Sequence, residues 1–142
     1  MPATFDRPGL SFQYPENWSL DEADIAAGRE SVTVYTPGAG FWSVSRHPIA
    51  TEPGQLAESA VDAMREEYGD VETYPIAEPL AGREAVGFDV NFHCLDLTNT
   101  ARVRCLRTGG ATYAFFWQAE DREFASLEAV FAAIAHSLLQ QL

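Results

Sequence analysis

Two arginines one residue apart, Arg102 and Arg104, precede the alternating aromatics Tyr113, Phe115 and Trp117. Gly109–Gly110 between them is a two-residue hairpin signal. A turn there sets Arg104 opposite Phe115 and Arg102 opposite Trp117, and strand alternation puts all five side chains on one face. The preceding run adds Asp89, Asn91 and His93 to the same side. A guanidinium over an exposed ring is worth about 0.5–1 kcal/mol, and arginine among tyrosine and tryptophan is the composition of binding hot spots. The face therefore predicts a recognition surface for a protein segment or an anionic small molecule. The competing reading has a helical layer covering the aromatics while Asp89 pairs with the arginines as local structure. Local charge sharpens the contrast. Arg83–Arg107 holds four arginines and three acids (+1), whereas Glu52–Glu72 holds one arginine and seven acids (−6).

Other chemistry is sparse. His47, His93 and His136 fall on a strand end, a strand and a helix, with no acid or second histidine at ligand spacing. A zinc site needs four ligands, or three and a water, and neighbouring His93 and Cys94 point to opposite sides of a strand. No metal is expected. Cys94 and Cys105 lie on the apolar alternation and read as inert, buried thiols. They would pair across a turn at Asn99–Thr100, and a turn elsewhere separates them. Ser43 and Ser45 have no base evident in the sequence, and there is no G-x-S-x-G motif. The G-x-G of "TPGAGF" joins two strands instead of opening a helix, so it is a hairpin turn and no phosphate cradle. Glu58, Asp62, Glu66 and Glu67 lie along the solvent side of a helix. No catalytic residue and no cofactor is expected.

Composition excludes further classes. The 142 residues are 46% hydrophobic and carry 21 acids against 9 bases, a net charge of −12. Such a surface repels phosphate backbones, so nucleic acid is not an expected partner. Every base is an arginine. Without lysine there is no Schiff-base chemistry and no P-loop. "MPATFDRPGLSF" lacks an apolar signal core, and no run approaches a membrane span. The expectation is one cytoplasmic domain over residues 1–142 with reduced cysteines.

The elements that must carry these residues are read from hydrophobic period. Leu10, Phe12 and Tyr14 alternate and stop at Pro15, which has no N–H to donate. Trp18 then folds back as a core plug. Ser31–Thr36 and Phe41–His47 form a hairpin about Pro37–Gly40. Glu52–Tyr68 is a helix with Leu56, Ala60, Met64 and Tyr68 in one stripe, Thr51 as its cap and Pro53 in its first turn. Val71–Ile76 is a weaker strand, followed by a loop through Pro79 and Gly82. Arg83–Ala119 is a three-stranded antiparallel meander, with the apolar "YAFFW" strand inside the sheet. Phe124, Leu127, Phe131, Ile134 and Leu138 define an amphipathic C-terminal helix capped by Asp121. The class is α+β.

"FxYPxxW" in the first strand, the "VTVYTP…SVSR" hairpin, one helix, a meander and a last helix ending "IAHSL" together resemble the PsbP-like superfamily. That group includes photosystem PsbP, a Ran-binding Mog-type nuclear transport factor and small bacterial EagR- and DcrB-like domains. The resemblance implies a central, mainly antiparallel sheet between helical layers, with no shared catalytic set. It also implies action by binding other proteins, as an adaptor or chaperone-like accessory factor. Two alternatives stay open. One is a small-molecule carrier or enzyme with a pocket between sheet and helix, where His93, Asp89 and Arg104 converge. The other is a homodimer built through a sheet edge or a helix face.

Overall fold

The computed structural model describes residues 1–142. Its chain order is β1 (Ala3–Phe5), β2 (Phe12–Tyr14), β3 (Ser19–Asp21), α1 (Ala23–Ala26), β4 (Ser31–Tyr35), β5 (Phe41–His47), α2 (Pro53–Tyr68), β6 (Val71–Leu80), β7 (Arg83–Cys94), β8 (Leu97–Arg107), β9 (Thr112–Glu120) and α3 (Asp121–Leu139). Seven strands make one antiparallel sheet in the order β3-β4-β5-β9-β8-β7-β6, and β1 and β2 form a separate ribbon. The apolar strand β9 is internal, between β5 and β8, where its edge hydrogen bonds are used.

Two helical layers cover this sheet unequally. Against one face, α3 and the β1–β2 ribbon enclose the main core, which holds Phe12, Trp18, Trp42, Tyr113, Phe115, Trp117, Phe124 and Phe131. Pro15 ends β2, the Trp18 amide bonds back to the Pro15 carbonyl at 3.0 Å, and the indole meets the Phe131 ring edge-on at 5.5 Å. Tyr14 packs at the margin of the same core. On the other face α2 lies over β7 and β8. There Val61 and Met64 pack with Val90, Phe92 and Ala101, and Ala57 with Val103 and Cys105.

Several local expectations need correction. The hairpin of β7 and β8 turns at Leu95–Asp96, both at positive φ (53° and 64°), so Cys94 pairs with Leu97 and Cys105 with Val86. Asn99–Thr100 is strand, and the two thiols are free. Paired residues sum to 191 where a turn at Asn99–Thr100 requires 199, and the difference is even, so each side chain keeps its face. Strand β6 continues through Pro79 to Leu80 and turns tightly at Ala81–Gly82. Pro75 and Pro79 are tolerated because β6 is an edge strand. Glu52, not Thr51, caps α2, its carboxylate accepting from the amides of Gly54 and Gln55. Those two bonds hold the Glu52 carboxyl below its ordinary pKa. Glu120, not Asp121, caps α3.

Candidate functional site

The β8–β9 register is the one the glycine turn implies, with Arg104 opposite Phe115 and Arg102 opposite Trp117. Asp89 is directly across from Arg102 on the other side. The side chains gather as expected, and of the two readings the structure meets the second: the aromatics are covered, Asp89 pairs with the arginines, and the recognition surface is closed. Tyr113, Phe115 and Trp117 are at most 4% exposed, because α3 and the N-terminal ribbon lie on them. Arg104 is 3% exposed and fully engaged. It donates to Asp89 at 2.7 Å, to Glu78 at 3.3 Å, and to the carbonyls of Phe88 and Val103. Arg102 reaches Glu128 of α3 at 2.8 Å and Asp89 at 3.7 Å, with its guanidinium 5.2 Å from the Phe124 ring. His93 stands exposed near the β7 tip, and Asn91 bonds the Thr100 hydroxyl. The arginines pin the helix and the edge strand to the sheet, so their role is structural.

The opening lies on the other side. Helix α2 is centred over β7 and β8 and reaches β9, where the Gln118 amide donates to the Tyr68 hydroxyl at 3.3 Å; beyond it the face made by β4 and β5 has no roof. A groove of about 420 Å³ runs there, with Leu56, Ala60, Met64 and Tyr68 of α2 as one wall and Phe41, Phe116 and Val103 as part of the floor. The Phe41 and Phe116 rings stack at 5.5 Å. Ser31, Ser43, Ser45, His47 and Gln118 add hydroxyl, imidazole and amide groups, and Glu67 is on the rim. The strand residues that line the groove, Ser31, Phe41, Ser43, Ser45, His47, Ala114, Phe116 and Gln118, include no aspartate, glutamate or arginine, and the acids that alternation puts on this face, Glu120 at the end of β9 and Asp21 on β3, are not among its lining. An ordinary solvated sheet face in so acidic a chain would carry charges.

No family model matches the chain, and no curated protein does. Solved structures do. Cyanobacterial PsbP (CyanoP) from Synechocystis superposes with a TM-score of 0.60 at 14% identity, over 96% of this chain and 89% of that one. A Pseudomonas aeruginosa protein of unknown function gives 0.58 at 9% identity, over 96% and 94%. A variant of Mog1 gives 0.54 at 12% identity, over 99% and 92%. The fold is PsbP-like.

Within this PsbP-like sheet, one pair of groove residues escaped the sequence reading. Ser45 Oγ and His47 Nε2 are 2.8 Å apart. The signal is present in the sequence, since positions two apart on a strand share a face, and it corrects the expectation that Ser45 has no base: His47 is two residues further along the same strand. Burial pushes the His47 imidazole below its ordinary pKa, against the pull of Glu30, so its neutral form is favoured.

Proposed function

We propose that this PsbP-like domain is a non-catalytic protein-binding module, an adaptor or chaperone-like accessory factor, and that the groove beside α2 is its receiving surface. The observation that carries this reading is the groove beside α2, whose strand-built floor holds no acid or arginine although the helix next to it is acidic. Its apolar walls suit the hydrophobic anchors of a partner segment. The rim and the net charge of −12 favour basic residues flanking those anchors. Addition of a strand at the sheet edge is disfavoured. Pro75 and Pro79, four apart, put the positions lacking donors on the outward edge of β6, and β3 at the opposite edge has three residues. The free thiols Cys94 and Cys105 accord with action in the reducing cytoplasm.

The test is pull-down from the native cytosol with cross-linking through the groove, comparing wild type, Ser43→Trp and Arg102→Ala. Filling the groove with an indole should abolish recovery of the partner, and Arg102→Ala should preserve it. Recovery should weaken as salt is raised, since the flanking contacts are screened. Recovery of the same proteins by wild type and Ser43→Trp would sink the reading.

A further inference from the structure

The groove also holds a hydroxyl paired with a base. Ser45 and His47 both project into it from β5, their heteroatoms 2.8 Å apart, and neither side chain makes any other hydrogen bond. Ser31 is directly across the ladder from Ser45 and lines the same space, so a second hydroxyl stands beside the first. Leu56, Ala60, Ala114 and Phe116 offer an apolar bed adjoining the pair. Nucleophile, neighbouring base and hydrocarbon-lined space are the parts an acyl acceptor requires.

We propose that Ser45 is a nucleophilic hydroxyl, with His47 as its general base, that takes an acyl group from an activated carboxylic ester whose hydrocarbon chain lies in the groove. Ser45 Oγ attacks the carbonyl carbon while its proton passes to His47 Nε2. The bond from that carbon to the leaving oxygen breaks, and the departing alkoxide or phenolate recovers the proton from the imidazolium. The product is O-acyl Ser45 and a free alcohol, with no change of oxidation state. The preference of His47 for its neutral form keeps Nε2 able to accept at neutral pH. This step is stoichiometric and independent of which segment the groove receives.

The full chain incubated with p-nitrophenyl butanoate at neutral pH provides the test. The chain has no lysine, so the main competing nucleophiles are the N-terminal amine, the half-exposed Cys94 thiol and the exposed imidazoles of His93 and His136, whose acyl adducts hydrolyse readily. Intact mass should show a butanoyl adduct matched by released nitrophenolate, and fragmentation should place it on Ser45. Ser45→Ala should remove that adduct, Ser126→Ala on α3, outside the groove, should leave it, and His47→Gln should slow it about 100-fold, within the range of general-base assistance. Should His47→Gln fail to fold by circular dichroism, the wild-type preference for Ser45 over Ser43 and Ser31 decides the matter. Adducts confined to the amine or to Cys94, equal labelling of the serines, or an unchanged rate in folded His47→Gln would overturn the proposal.

Discussion

Arg104 shows how a single side chain can have its place legible in the sequence while its task stays open between two readings. Its register partner is evident from two glycines, but its fate depends on Glu78 of β6 and on the layer that covers its face, neither of which belongs to the β8–β9 hairpin. Spacing within a meander says which residues share a face; it does not say how thick a layer lies on that face. With Arg104 replaced by alanine, Asp89 loses its closest cation and two carbonyls lose donors. We expect a loss of about 2–4 kcal/mol in urea unfolding, larger than that of Arg102→Ala. The cysteines give a second residue-level expectation. Burial pushes the Cys105 thiol up to about 12, whereas Cys94 is half-exposed. A disulfide reagent at neutral pH should therefore titrate one thiol in the native protein and two in denaturant. His47 gives a third. Its folded pKa lies below the ordinary 6.5, so the unfolded chain binds the proton first as pH falls. Its contribution is intact above about pH 6.5 and is lost as the solution is acidified through the folded pKa. His47→Gln should flatten that part of the stability–pH curve.

Elements follow the same logic at larger spacing. The period-two runs of β5, β7 and β9 and the period of α2 and α3 were plain, because each buries one continuous stripe. The short strands β1 and β3 were missed, having three residues apiece and too few alternations to show a period. The exact position of the β7–β8 turn is not legible in the sequence, because Leu95 is a poor left-handed residue and gives no turn signal. The β4–β5 turn was placed correctly, yet its closure was invisible. Glu123 of α3 reaches into it, accepting from the Gly40 amide at 2.9 Å and the Thr36 hydroxyl at 3.1 Å. A Cβ at Gly40 would lie 2.9 Å from the Gln118 carbonyl and against the Glu123 carboxylate. Gly40→Ala should therefore destabilise the fold. Glu123→Ala, which leaves the Gly40 amide only the Thr36 hydroxyl as acceptor, should cost about 1–3 kcal/mol in thermal or urea unfolding.

At the level of the whole molecule, the sandwich architecture was readable from element order and from one motif, "FxYPxxW". The groove was not. It exists because a seven-stranded sheet is wider than the single helix α2, and width is a property of the assembled ladder, absent from any local window. The charge-free bed could have been noticed as four small polar positions in "SVTVY" and "FWSVS", but with no helix placed beside them they read as ordinary solvated strand. The edges of that ladder carry a consequence of their own. A β-rich domain with an exposed border would normally recruit its own copies as concentration rises and grow into fibrils. Here one border is interrupted twice by imino acids and the other is too short to template a neighbour. Restoring donors with Pro75→Thr and Pro79→Thr should leave the native fold intact while accelerating thioflavin-positive assembly, so the same two residues that spoil a strand's regularity guard the border against fibril growth.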